Sequence, residues 1–135
     1  MQEVFGFLQD NAPFFVSTVD EGNPRVRPFG FVMEFEGKLW FSTNNKKNVY
    51  KQLKTNPCVE ISTASSDGKW IRLKGKAVFD SDLAARAKDK AIETSPTLAR
   101  MYKAADNPIF ELFYLEEGEA TFNSLATGES KTVRL

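Results

Sequence analysis

The chain has 135 residues, 41% of them hydrophobic, and 18 Lys+Arg balance 18 Asp+Glu. That length allows one domain, residues 1–135, with a real core. The zero net charge argues against a general nucleic-acid or membrane-surface binder. With no histidine and one cysteine, the chain cannot build a Ser-His-Asp triad, a Cys-His pair, a His-ligated metal, a thiolate cluster or an intramolecular disulfide.

In chain order, residues 2–10 read as a short helix, because Val4, Phe5 and Leu8 share a stripe that Asn11-Ala12-Pro13 ends. Residues 14–19 form a strand and Asp20 to Pro24 a turn. Arg25 to Phe35 is a second strand, interrupted by Pro28 and Gly30, which marks an edge or a bend. A turn at 36–38 leads to a strand at 39–43. A helix follows from about Asn45 to Thr55, capped by Asn44 or Asn45 and stopped by Asn56-Pro57. Residues 58–63 alternate as a half-buried strand, in which Cys58 is expected to be a buried, inert cysteine. Asp67-Gly68 marks a hairpin turn into the strand Lys69–Phe79.

The last third starts with a helix capped by Ser81-Asp82 that runs to about Ile92, and a shorter one begins at Ser95-Pro96 and ends near Asn107-Pro108. Strands at 109–115, 120–125 and 130–135 complete the chain, with turns at Glu116-Glu117-Gly118 and Thr127-Gly128-Glu129. The pattern is mainly β with three or four inserted helices and about seven strands. Tight turns make neighbouring strands antiparallel, so a closed or nearly closed barrel with helices on its outside is the economical solution. An open α+β sandwich is the alternative. The first residues lack the basic and apolar regions of a signal peptide, and no apolar run approaches the ~18–20 residues of a membrane span. A lone cysteine suits a reducing compartment, so a cytoplasmic location is expected.

One stretch departs from the even charge distribution. No acidic residue lies between Glu36 and Glu60, yet Lys38, Lys46, Lys47, Lys51 and Lys54 fall in that window. Lysines on a helix ordinarily form a solvated face. Here they flank the start of a helix, where free N–H groups favour an anion, so the stretch predicts a phosphate site.

The segments PRVRPFG, GKLWFSTNNKKNVYKQLKTNP and KWIRLKG, in this order and spacing, resemble the FMN-binding split-barrel family. This is the pyridoxamine 5′-phosphate oxidase-like group, and the chain looks most like its general-stress-protein 26-like and nitroimidazole-reductase-like members. The resemblance spans almost the whole chain. It implies an antiparallel split β-barrel and a homodimer holding FMN in clefts at its interface. By position, Arg25, Val26, Arg27 and Pro28 match the strand along the flavin. Phe41, Ser42 and Thr43 match the strand end beside ring and phosphate. Lys46, Lys47 and Asn48 match the phosphate-holding helix start, and Trp70 and Arg72 the flavin-side hairpin.

The implied activity is that of a small, stress-related oxidoreductase passing electrons from NAD(P)H through FMN to a small-molecule acceptor. The sequence departs from true pyridoxamine phosphate oxidases, whose C-terminal Arg- and His-containing segment is replaced here by FNSLATGESKTVRL. The missing histidine also sets it apart from typical nitroimidazole reductases and haem-using relatives. A non-catalytic protein that stores or senses flavin, or binds another phosphorylated ligand, is the alternative. A single-stranded nucleic-acid barrel using Trp40, Tyr50, Trp70 and the lysines is disfavoured by the neutral charge.

Overall fold

The computed structural model describes residues 1–135. Its elements are α1 (Gln2–Asp10), β1 (Phe14–Asp20), β2 (Asn23–Phe29), β3 (Val32–Phe35), β4 (Lys38–Asn44), α2 (Asn48–Thr55), β5 (Cys58–Ala64), β6 (Lys69–Val78), α3 (Ser81–Thr94), α4 (Pro96–Tyr102), β7 (Phe110–Ser124) and β8 (Ser130–Arg134).

All eight strands join one antiparallel sheet in the order β2-β1-β5-β6-β7-β4-β3, with β8 pairing β7. The edge strands β2 and β3 follow each other in sequence but do not pair, so the sheet curls without closing. This is the split barrel. The split falls where the sequence placed its interruption. Pro24 and Pro28 are tolerated because β2 is an edge strand, whose outward groups have no ladder partner to lose. The chain leaves extended pairing at Gly30 and resumes at Val32, so the expected 25–35 strand is two strands.

Residues alternate across the sheet and supply two cores. Phe14 and Val16 of β1, Leu39 and Phe41 of β4, Ile61 of β5, Ile71 and Leu73 of β6, and Phe113 and Leu115 of β7 line the concave face. Val4 and Leu8 of α1 and Val49 and Leu53 of α2 complete that inner cluster, so these two helices fill the barrel rather than lie outside it. On the opposite face, Trp40, Phe110, Leu112 and Tyr114 pack under Ala84, Ala87, Ala91, Leu98 and Tyr102 of α3 and α4. Those helices occupy the expected outer position.

Three local expectations are corrected. Glu116-Glu117-Gly118 is not a turn: β7 runs straight through it. The register against β6 shifts between Lys74 and Lys76, and Glu117 takes a positive φ of 53°. That is a bulge, and Lys74–Glu119 and Lys76–Glu117 ion pairs flank it. Cys58 is exposed, because its side chain falls on the outer face of β5. Helix α3 is capped not by Ser81-Asp82 but by Asp80, whose carboxylate accepts from the N–H groups of Asp82 and Leu83.

Candidate functional site

The β1–β2 hairpin turns at Glu21-Gly22, both at positive φ (51° and 81°), which matches the right-handed twist of the strands. Its register pairs Val16 with Arg27 and Thr18 with Arg25, so both arginines project from the same side as the inner core. Helix α2 lies against that side. Its apolar residues Val49 and Leu53 are buried, while Gln52 on the same helix meets Arg27.

Arg27 is the most constrained cation of the region. Its Nη1 donates to the Val16 carbonyl at 3.2 Å and to Thr18 Oγ1 at 2.7 Å, and its Nη2 donates to Gln52 Oε1 at 2.7 Å. The Thr18 hydroxyl in turn donates to Gln52 Oε1 at 2.6 Å. A guanidinium has five N–H donors. Three are spent here, which leaves Nε–H and one Nη2–H for a ligand. Burial holds the Arg27 guanidinium below its ordinary value, and arginine stays charged regardless.

Two clefts meet at this residue. The larger, about 1120 Å³, is bordered by Arg25, Val26, Arg27, Pro28, Lys46, Lys47, Asn48 and Lys51, with Asp20 and Glu21 its only carboxylates. Asp20 is taken by Arg25 at 3.5 Å, whereas Lys46, Lys47 and Lys51 form no ion pair. The start of α2 opens here. Lys47 is its N-cap and no side chain caps it, so the first-turn N–H groups stay available. The expected cap by Asn44 or Asn45 does not occur: Asn44 Oδ1 accepts from the Lys46 N–H, and the Asn45 amide is engaged with β7.

The smaller cleft, about 320 Å³, shares Arg27, Pro28, Lys47 and Val49 with the first. It continues past Phe29, Gly30 and Phe31 to Ser42 and Thr43 of β4, and to Ser95, Thr97, Leu98, Met101 and Tyr102 of α4. No carboxylate borders it. Thr43 Oγ1 is buried without any hydrogen-bond partner, a state that costs about 1–3 kcal/mol and leaves a polar position open.

Nine of the candidate residues therefore gather around one continuous groove: Arg25, Val26, Arg27, Pro28, Ser42, Thr43, Lys46, Lys47 and Asn48. Three do not. Phe41 points inward with Leu39, is fully buried and stacks on Phe113 at 5.5 Å, so its side chain cannot reach a ligand. Trp70 and Arg72 stand on the outer face of β6. Trp70 lies in a hollow with Pro13, Phe15, Ala64 and Leu125, and Arg72 stacks over it at 5.1 Å. Within one chain they are not part of the groove. Sequence reasoning missed Thr18 and Gln52, which hold Arg27, and the whole α4 wall. Only Lys51, one turn after Lys47, carried a signal.

No group of His, Cys, Asp or Glu residues is arranged to hold a metal ion. An open antiparallel barrel with a cationic groove along its split defines a protein of the split-barrel class. The family model described as pyridoxamine 5′-phosphate oxidase matches residues 1–121, and the chain belongs to this FMN-binding, pyridoxamine 5′-phosphate oxidase-like family. A NimC/NimA family protein from Clostridium acetobutylicum is 39% identical, with a TM-score of 0.91, covering 100% of this chain and 93% of that one. The general stress protein 26 of Bacillus anthracis (18% identity, TM-score 0.73, covering 99% and 98%) shares the fold. So does a pyridoxamine 5′-phosphate oxidase-related, FMN-binding protein of Nostoc punctiforme (17%, 0.70, 90% and 86%). No curated protein matches the chain.

Proposed function

We propose that this protein binds FMN in the groove and works as a small oxidoreductase, passing electrons from NAD(P)H to a small-molecule acceptor. The observation that carries the reading is the continuity of the two clefts through Arg27, Pro28, Lys47 and Val49. One end is cationic and open to N–H groups, which suits a phosphate. The other is walled by Phe31, Leu98 and Met101, with hydroxyls at Ser42 and Thr97, which suits a flat ring with polar edges. The donor set fits FMN. Lys46, Lys47 and the start of α2 would hold the phosphate, and Arg27 and Pro28 would flank the ring.

When bound, FMN supplies hydride and electron transfer. The chain's residues would orient it, shield one side from water and leave room beside α4 for a second molecule. No histidine or carboxylate borders the smaller cleft, so proton transfer there would fall to the Lys47 ammonium, water or hydroxyl groups. The same absence favours a second reading, a flavin-binding protein without turnover. On the same ground we read the chain as distinct from a pyridoxamine phosphate oxidase that depends on histidine. The purified protein should take up added FMN with quenching of flavin fluorescence, and should then oxidise NAD(P)H with quinone or nitroaromatic acceptors faster than free FMN. No uptake at high micromolar FMN removes the proposal; uptake without turnover selects the second reading.

The groove is expected to lie at a dimer interface. On the outer face Phe15 pairs with Pro28 and Ser17 with Val26; the exposed Phe15 (47%) shares a hollow with the exposed Leu125 (76%), and the exposed Val26 (68%) borders the groove. Apolar exposure of this kind marks an interaction site. Phe15→Glu should turn a dimer into a monomer by light scattering and weaken FMN binding together with it. An unchanged mass would dismiss this face as the contact. No helix is long and apolar enough to cross a membrane. The free, exposed thiol of Cys58 suits a reducing compartment, and a cytoplasmic location is part of this proposal.

A further inference from the structure

The loop that carries Lys46 and Lys47 joins β4 to α2 and contains no apolar anchor of its own. Asn44 accepts from the Lys46 N–H at its Oδ1 and from the Lys47 N–H at its carbonyl, which shapes the turn, but the bonds that tie the loop itself to β7 come from Asn45. The backbone N–H of Asn45 donates to the Ile109 carbonyl at 3.0 Å. Its side-chain Nδ2 donates to the Pro108 carbonyl at 2.8 Å and to Glu111 Oε2 at 2.9 Å. An amide nitrogen has two hydrogens, so both are used. All three acceptors belong to the entry into β7, a strand fixed between β6 and β4. That entry is itself pinned, since Asn107 Nδ2 donates to the Tyr102 carbonyl at 2.8 Å and Asn107 Oδ1 accepts from the Ile109 N–H. Lys46 and Lys47 follow directly in the chain and form no ion pair that could fix them instead.

We infer that Asn45, braced by Glu111, is a positioning residue for phosphate recognition: it fixes the loop so that Lys46, Lys47 and the start of α2 face the ligand's phosphate in one arrangement. This rests on the reading that the cationic cleft takes the phosphate of FMN. A flexible loop with the same charges would lose ordering entropy on binding, and the clamp removes that cost in advance. Glu111 contributes as a hydrogen-bond acceptor, so Glu111→Gln, which retains an amide oxygen, should preserve the clamp.

The test separates the phosphate from the ring by titrating FMN and riboflavin in parallel, reading quenching of flavin fluorescence. Asn45→Ala should weaken FMN by about tenfold, the worth of a hydrogen bond made by a charged group, and leave riboflavin unchanged. Glu111→Ala should follow it in the same direction, and Glu111→Gln should retain wild-type affinity. Glu111→Ala leaves the bond to the Pro108 carbonyl intact, so it carries the test if Asn45→Ala does not fold. The inference is overturned if FMN affinity is unchanged, or if FMN and riboflavin weaken together, which would be the mark of general unfolding. Equal affinity of the wild-type protein for the two flavins would overturn the phosphate reading itself, and this inference with it.

Discussion

Arg27→Ala is expected to weaken FMN binding by roughly tenfold to a hundredfold, the equivalent of the ~1.5–3 kcal/mol of a hydrogen bond to a charged group. Arg27 borders both halves of the groove, and two of its N–H donors have no partner in the protein. The spent donors aim the free ones: Val16, Thr18 and Gln52 hold the guanidinium in a single plane. Alanine removes the charge and the fork together. Folding stability should fall by only about 1–3 kcal/mol, because the Thr18 hydroxyl and Gln52 remain bonded to each other. Arg27→Lys keeps the charge but not the planar fork, so it should recover stability better than affinity. Flavin titration at low and high salt beside chemical denaturation of each variant provides the check. Affinity unchanged at both salt concentrations, with stability lost, would reduce Arg27 to a structural strut.

The parts of this site that were legible in the sequence are those set by local chemistry. An acid-free run of lysines at a helix start is visible without any structure. So is an edge or a bend in the second strand, because Pro28 lacks a ladder donor and Gly30 weakens extended pairing. The helix ends at Asp10 and Thr55 and most hairpins follow from the same local rules, whereas α2 starts at Asn48 rather than about Asn45 and α4 stops at Tyr102, short of Asn107-Pro108. What was hidden depends on pairing across the fold. The Val16–Arg27 register decides that Thr18 meets Arg27, and no spacing between residues 18, 27 and 52 announces it. The α4 wall arises because its helix lies over β4 and β7, a long-range packing choice. The bulge at 116–118, where the sequence predicts a turn, has a similar origin. Its glutamates look like loop residues until Lys74 and Lys76 are brought opposite them. The family resemblance places Phe41 beside the ligand, but strand parity turns its ring inward.

The inward turn of Phe41 gives the fold its most sensitive point, and Phe113→Ala should produce the largest loss of stability, about 3–5 kcal/mol. Phe113 is fully buried and its ring meets three others: Phe41 at 5.5 Å, Phe79 at 5.3 Å and Phe29 at 6.3 Å. Truncation leaves a void that these rings cannot all fill, because each is fixed by a further contact. Phe41 and Phe29 both meet Phe14, and Phe79 meets Tyr50. Out of a total of about 5–15 kcal/mol for a domain, the loss takes a large share. The damage should reach the groove, since Phe29 ends the strand that carries Arg27 and Tyr50 belongs to the helix that presents Lys47. FMN affinity should therefore fall as well, and saturating FMN should restore part of the stability, because a ligand that binds only the folded state stabilises it by mass action. Phe113→Leu, which keeps most of the volume, should cost less than half as much. Urea denaturation with and without FMN measures all of this. A loss below about 1 kcal/mol for the alanine variant would mean that the inner core can collapse around the missing ring, and that β2 and α2 are held in place by something other than this aromatic cluster.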